Sequence, residues 1–292
     1  MITYNSKDWF KFIFFFHKSD TIRKLFPLII IISLLTWGIA YLELEYLKLS
    51  ATSNIRNLNM MHNLLTFVIS MLLVFRTNTA YERWWEGRKL WGGLVNNSRN
   101  LAIKLNAMLA AEDIANRNFY KKNIALYASV LARHLSAEST RLSLDEKEHP
   151  ELAMIAKDKH APNHVASLIF SRTNTLYESG KIKGDQLIIL NGELLSFAEI
   201  CGACERIKNT PIPISYSAFI KKFIFIFVTT LPLSLVFSLG YYAIPVVAFI
   251  FYVLTSIELI AEEIEDPFGS DENDLPTLKI AANIKKHIAE IL

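Results

Sequence analysis

The sequence predicts an all-α membrane protein, and three observations support this fold class. Hydrophobic residues make up 52% of the 292-residue chain, more than a soluble core normally holds. The most apolar residues lie in uncharged blocks, while the charged residues, 20% of the chain, lie mainly between those blocks. Outside the blocks, apolar residues recur every three or four positions, and the sequence shows neither strand alternation nor an internal repeat.

The apolar blocks predict four transmembrane helices. Residues 25–75 hold helices 1 and 2, the first over residues 25–42 and the second over residues 57–75, each just long enough to span. Residues 223–257 are too long for one span. A glycine and a proline within "SLGYYAIP" interrupt this block, so it predicts transmembrane helices 3 and 4 joined by a tight turn.

The remaining segments predict the topology. Residues 1–24 mix charges with aromatic side chains and predict an interfacial helix rather than a cleaved signal. Four spans place both termini on one side, together with the long polar region 76–222, which holds most of the Lys and Arg residues. The positive-inside rule makes that side cytoplasmic. We expect a cytosolic helical region over residues 76–222, and an acidic cluster and C-terminal helix over residues 258–292.

Helical periodicity within the polar region predicts helices over residues 100–111, 118–136, 163–178 and 185–207. Cys201 and Cys204 lie in the last of these, where a packing role fits better than metal or redox chemistry. The seven histidines are scattered, with none at ligand spacing from another histidine or a carboxylate, so each is expected to be solvated or capping.

Several function classes find no support in the sequence. It has no phosphate-binding glycine loop, metalloprotease motif or nucleophile elbow, which argues against an enzyme or a nucleotide-driven pump. The net charge of +3 gives no reason to expect a nucleic-acid partner. Internal inverted repeats, which are typical of secondary transporters, are also absent from the sequence.

One stripe on the second predicted span is a candidate for function. Phe67, Met71 and Phe75 recur every four residues and therefore share one face of a helix. The face has two interpretations. It either contacts lipid or surrounds a symmetry axis, where rings of apolar side chains form a dry constriction that gates by dewetting.

Three segments resemble the bestrophin family in order and spacing: "FRTNTAYERWWEGRKLWGGLVNNSRNLA", "GACERIKNTPIPISY" and "IAEEIEDPFGSDENDLP". The short chain points to the prokaryotic branch, and hence to the bacterial inner membrane. The resemblance implies a homopentameric ion channel with five second spans around one pore, and it places Phe67, Met71 and Phe75 in a hydrophobic neck. The arginines and glutamates after the neck would pair between helices, although Arg76 and Arg83 could instead face a cytosolic vestibule.

Ion selectivity depends on a second constriction, which the resemblance places at Asp185. Five carboxylates around a cytosolic aperture would attract monovalent cations and repel anions. Asp185 could instead cap the helix that starts there, and Lys181 and Lys183 could offset its charge. We expect a passive channel with a cation preference. The alternatives are an anion (chloride) channel of the same architecture, or a membrane scaffold or sensor that does not conduct.

The acidic cluster resembles the calcium clasp of eukaryotic relatives at Asp266, Asp271 and Asp274. Calcium prefers six to eight oxygen ligands, but Ser270 and Asn273 interrupt the run of acids here. Calcium is therefore a possible ligand and no cofactor is required. A solvated turn that caps the last helix is the alternative. The expected partners are further copies of the chain, membrane lipid and permeant monovalent ions.

Overall fold

The computed structural model describes residues 21–48, 58–136 and 160–292, and all regular structure within them is helical. The predicted interfacial helix lies mostly outside the described residues, and its last four residues begin the first transmembrane helix. The described part contains nine α-helices: α1 (Thr21–Tyr41), α2 (Leu58–Met108), α3 (Ile114–Leu135), α4 (Ala161–Glu178), α5 (Gly184–Asn209), α6 (Ile214–Thr230), α7 (Pro232–Leu239), α8 (Ala243–Glu265) and α9 (Thr277–Ile291). A π-helical turn, Leu42–Tyr46, extends α1.

Helix α2 differs most from the sequence prediction. The second span was expected to end at Phe75, with a separate helix over residues 100–111. Instead one helix of 51 residues runs through both segments. At 1.5 Å per residue it is about 75 Å long, more than twice the thickness of a bilayer core. The charged run after Phe75 holds no proline, so nothing in it breaks the backbone hydrogen bonding where the polarity changes.

The first half of α2 packs into an apolar layer formed by α1, α6, α7 and α8. Its buried face contributes Ile69 and Leu73, which meet side chains of α6 and α8 such as Phe227 and Val247. The turn predicted within "SLGYYAIP" is present at Gly240, whose positive φ of 55° suits glycine. Beyond it the chain returns along α6 and α7, so that α8 ends beside the start of α6.

The second half of α2 packs against α3, α5 and α9 in a separate core, and α4 completes this core by packing on α3 and α5. Trp91, Leu94, Leu101 and Leu105 of α2 are fully buried there. The buried hydroxyl of Tyr127 donates a hydrogen bond of 2.5 Å to the carbonyl of Phe197 in this core. Cys201 and Cys204 are free thiols buried in the same core, which agrees with their predicted packing role.

Four helical stretches among the described residues are long and apolar enough to cross a membrane: Thr21–Tyr46, Leu58–Met108, Gly184–Asn209 and Ile214–Glu265. The third of these is α5, which the sequence analysis assigned to the cytosolic region. Much of its apolar surface packs on the second half of α2, and Glu193 pairs with Lys104 of α2 at 2.7 Å. Composition alone therefore does not separate a core helix such as α5 from a span. The last stretch contains the whole hairpin from α6 to α8.

Close packing at Gly87 predicts a measurable loss of stability on substitution. A Cβ atom there would lie 3.1 Å from Cζ of Phe268 and 3.3 Å from a methyl of Leu275. We expect Gly87→Val to lower the free energy of unfolding by about 1–3 kcal/mol through overpacking. Gly192→Ala is the control, because its Cβ would meet no atom within 4 Å, and it should stabilise α5 by about 0.5–1 kcal/mol. Unfolding in detergent measures both; equal effects would contradict this packing.

Candidate ion pathway and the contacts that position it

The three predicted neck residues lie on one exposed face of α2. Phe67, Met71 and Phe75 expose 71%, 45% and 56% of their surface, while Ile69 and Leu73 on the opposite face are buried. No described part of the chain covers this stripe. An apolar helix face of this kind is accommodated either by lipid or by other copies of the chain.

A buried histidine fixes the start of α2. His62 is only 3% exposed, and its Nδ1 donates to the carbonyl of Leu58 at 2.9 Å. Its Nε2 lies 3.1 Å from Oγ1 of Thr230, at the end of α6, and the ring packs edge-on against Phe227. The expectation of a solvated or capping histidine is wrong here, because tertiary contacts that the local sequence does not show enclose the ring.

A buried ion network holds α2 against α8 one residue after the neck. Arg76 is 1% exposed; its Nη2 lies 2.7 Å from Oε2 of Glu265, and its Nε lies 3.4 Å from Oε1 of Glu258. The alternative that Arg76 faces a vestibule is therefore wrong for the single chain. The guanidinium instead joins two helices in a water-poor environment, where charge-assisted hydrogen bonds are strong.

Arg83 makes a second contact at the same junction. Its guanidinium donates to the carbonyls of Thr210 at 2.5 Å, Ile207 at 2.6 Å and Glu265 at 3.0 Å. Two of these carbonyls lie at the C-terminus of α5, where a cation offsets the negative end of the helix dipole. The side chain of Glu265 also accepts from the backbone N–H of Ile212 at 2.7 Å. The junction thus joins α2, α5, α6 and α8.

Asp185 is exposed in the first turn of α5, but it is not the cap of that helix. The N-cap is Lys183, whose backbone N–H donates to Oε1 of Gln186 at 2.8 Å. Lys181 does not offset Asp185 either, since its ammonium pairs with Asp113 at 2.7 Å and holds the pKa of that carboxyl below its usual value. The carboxylate of Asp185 therefore faces solvent and is free to contribute to an aperture.

The neck lies in the first half of α2, whereas Asp185 lies on α5, beside the far end of α2. Lys104, near the end of α2, donates to Glu193 and to the carbonyl of Ile189, which places the start of α5 there. Phe67 and Lys104 are 37 positions apart, or about 55 Å along the helix axis. A pore built on these residues would have its two narrow parts near opposite ends of one helix.

The acidic segment after α8 folds back on itself. Oδ2 of Asp274 accepts from the backbone N–H of Asp271 at 2.5 Å, and Oδ1 of Asp266 accepts from the N–H of Phe268 at 3.3 Å. Burial raises the pKa of Asp274 to about 7, an effect that the carboxylates of Asp271 and Asp266 reinforce. Its Oδ1 is buried with no hydrogen-bond partner. That orphaned oxygen fits a cation ligand, but the three acids are not gathered within 4.8 Å of one another.

Two more histidines lie closer to an acid than the sequence suggested. His134 and His160 both contact Oε1 of Glu205, at 2.6 Å and 2.5 Å. Sequence separations of 71 and 45 residues hid this cluster, as separations of 182 and 189 residues hid the partners of Arg76. No spacing rule could have found either set, because each is assembled only by the packing of helices.

The fold and these sites define a helical membrane protein with an exposed apolar face on a long central helix. Residues 1–290 match the family described as "Bacterial/Fungal Bestrophin protein". The chain belongs to this family of ion channels, which confirms the resemblance seen in its motifs.

The relatives and a solved structure agree with this family. The chain is 34% identical to a "voltage-dependent anion channel-forming protein" of Nostoc sp. over 77% of its own length and 75% of the relative. It is 33% identical to a protein of the same description from Synechocystis sp., over 78% and 75%. The structure of a mutant bacterial bestrophin homologue from Klebsiella pneumoniae superposes with a TM-score of 0.78 at 28% identity, covering 92% of this chain and 98% of the homologue.

The Arg76 network predicts a large stability loss when one partner is removed. Arg76→Met would leave Glu258, which is 2% exposed, without its counter-ion and should cost about 3–5 kcal/mol of unfolding free energy. Arg206→Met is the control, since Arg206 is 67% exposed and pairs with Glu86 at the surface, so it should cost about 1 kcal/mol or less. Unfolding in detergent provides the comparison. Similar losses in both variants would show that the buried network is not stabilising.

Proposed function

We propose that the chain forms a passive, homopentameric channel for monovalent ions, with five copies of α2 around one pore. The observation that carries this is the stripe Phe67, Met71 and Phe75, which is exposed on the single chain within a member of an ion channel family. Facing an axis, the stripe forms a dry neck that small helix rotations open or close. The scaffold alternative gives no reason for an apolar stripe beside exposed Asn63, Thr66 and Ser70.

The proposed orientation places the second core in the cytoplasm of a bacterium, at its inner membrane, with both chain termini on that side. The Lys and Arg residues of region 76–222 support this by the positive-inside rule. Within the apolar layer, α1, α6 and α8 also carry exposed apolar side chains, including Leu34, Phe225 and Phe249. These surfaces suit contact with lipid or with neighbouring subunits.

Two observations favour opposite selectivities. The exposed carboxylate of Asp185, unpaired with Lys181, favours cations if five copies surround the cytosolic aperture. The names of the relatives from Nostoc and Synechocystis favour anions. The expected cation preference depends on one carboxylate, which only the family resemblance places at the aperture. The names of the relatives favour the anion candidate over it.

Calcium is proposed only as an optional ligand of the acidic segment. Asp266, Asp271 and Asp274 would hold it, and the buried, unpartnered Oδ1 of Asp274 supports a cation there. Burial raises the pKa of Asp274, and a bound divalent ion would lower it again by stabilising the ionised carboxylate. The hydrogen bonds that already close the segment support the alternative of a turn that is stable without metal.

The neck assignment predicts a gain of conductance on truncation. Replacing Phe67, Met71 and Phe75 together by alanine should widen and wet the constriction, and single-channel current in planar bilayers should rise severalfold. The matched control is Phe225→Ala, which removes an equally exposed aromatic ring from α6. Unchanged current in the triple variant, or an equal rise in the control, would place the stripe against lipid rather than the pore.

The aperture assignment predicts a change in reversal potential. Under a potassium chloride gradient, wild-type channels with an Asp185 ring should reverse near the potassium potential, and Asp185→Asn should shift this value toward the chloride potential. Glu199→Gln is the control, since it removes an exposed carboxylate from the same helix. Wild-type reversal near the chloride potential, unaltered by Asp185→Asn, would establish the anion candidate and exclude Asp185 from selectivity.

A further inference from the structure

Three helix ends meet at one carboxylate in the second core. His134 lies in the last turn of α3, His160 is the N-cap of α4, and Glu205 lies one turn before the end of α5. Nε2 of His134 lies 2.6 Å from Oε1 of Glu205, and Nε2 of His160 lies 2.5 Å from the same oxygen. The two imidazole rings are 4.6 Å apart between centroids.

This cluster has the composition and compactness of a metal site. One ligand atom from each residue lies within 4.8 Å of the others, the only such group of three within residues 21–48, 58–136 and 160–292. The side chains are about one-third exposed, at 33%, 33% and 26%, so an ion can reach them from solvent. Neither the channel mechanism nor the family's acidic segment uses these residues.

We propose that Nε2 of His134, Nε2 of His160 and the carboxylate of Glu205 bind one divalent ion of the zinc class in each chain. Two imidazoles and one carboxylate suit zinc, and such a set leaves a fourth position for water. With bonds of about 2.0–2.1 Å, tetrahedral ligands lie about 3.3 Å apart. Each Nε2–Oε1 distance must therefore open by less than about 1 Å, which rotation of the Glu205 carboxylate can supply.

Metal binding at His160 competes with its capping role. Nδ1 of His160 accepts from the backbone N–H of Asn163 at 3.2 Å, so in the neutral ring the proton is on Nε2, where it donates to Glu205. Binding through Nε2 requires the neutral tautomer with its proton on Nδ1, so the proton transfers from Nε2 to Nδ1 by way of solvent. Nδ1 then no longer accepts from Asn163, and the cap is lost. One long, exposed N-cap bond contributes much less than a zinc–ligand bond, so the metal wins this competition.

The surrounding contacts hold the ligands close together before any ion binds. Nζ of Lys208 donates to the carbonyl of His134 at 3.0 Å, which fixes the end of α3 against α5. Residues 137–159 connect α3 to α4 in the sequence. An ion shared by His134 and His160 would link the two ends of this segment. The ion would thus stabilise the arrangement of three helix ends that the hydrogen bonds already define.

The test uses the full-length protein, purified in detergent and stripped of metal with a chelator. Zinc binding is measured by calorimetry at neutral pH in excess calcium, which occupies oxygen-rich sites. Cobalt is added in a parallel experiment, because its visible absorption reports four- or five-coordinate geometry. The ligand variants are Glu205→Gln and His160→Asn, and the second keeps a good N-cap residue so that α4 still starts at the same position. The matched controls are Glu199→Gln and His164→Asn.

We expect one zinc ion per chain, visible cobalt bands and a higher unfolding temperature with zinc in the wild type and both controls. Removing an outer-sphere partner of a metal site costs about 10–100-fold in affinity, so each ligand variant should lose at least about 100-fold. The visible cobalt bands and the rise in unfolding temperature with zinc should be absent from both ligand variants. The proposal is overturned if the wild type binds no zinc, in which case the cluster is only a pair of hydrogen bonds from His134 and His160 to Glu205. It is also overturned if both ligand variants bind zinc as the wild type does.

Discussion

The ion network around Glu265 is the contact on which the arrangement of α2 depends. One carboxylate oxygen accepts from Arg76 and the other from the backbone of Ile212, while the carbonyl of the same residue accepts from Arg83. Buried charges are costly unless they are paired and hydrogen-bonded, and here each interaction also crosses between elements. The network lies where α2 leaves the apolar layer, so it fixes the rotation of α2 and hence the face on which the neck residues lie.

The sequence predicted those parts of the fold that depend on local patterns. Uncharged blocks interrupted by a glycine and a proline predicted the hairpin around Gly240, and periodicity predicted α3, α4 and α5 within a few residues. The continuity of α2 was missed because a change in polarity at Arg76 was taken as a helix end. A change in polarity alters which environment a helix face prefers, but it leaves the backbone hydrogen bonds intact and so does not by itself end a helix.

The residues of the candidate pore could be predicted from helical spacing, but only the family resemblance assigned them to a pore rather than to a lipid-facing surface. The spacing of Phe67, Met71 and Phe75 predicts a shared face, and the structure exposes it, but exposure alone does not distinguish lipid from a pore. The environments of Arg76, His62 and Glu205 were inaccessible to sequence reasoning. Each depends on which helix packs beside it, and the partner lies tens to hundreds of positions away along the chain.

The separation of the neck from Asp185 has a consequence for how such a channel would work. Phe75, the neck residue nearest to the end of α2 beside Asp185, is 29 positions from Lys104, or about 43 Å along α2. Over this distance charges are screened by salt, since the Debye length at physiological ionic strength is about 8 Å. A ring of Asp185 carboxylates therefore concentrates or repels ions at its own end of the pore without changing the electrostatics of the neck. Any influence between the two regions must be mechanical, and α2 is the element that extends from one to the other.

The proposed metal cluster lies at the end of α5 that contacts α2. Glu205 precedes Ile207 by two residues, and Arg83 of α2 holds the carbonyl of Ile207 as well as that of Thr210. An ion at Glu205 would therefore restrain the same end of α5 that Arg83 holds, through contacts with α3 and α4. Restraining α5 could affect a distant part of the protein only if α5 has two alternative arrangements. With α5 packed along much of its length against α2, the direct effect of a bound ion would be to stiffen the junction between these two helices.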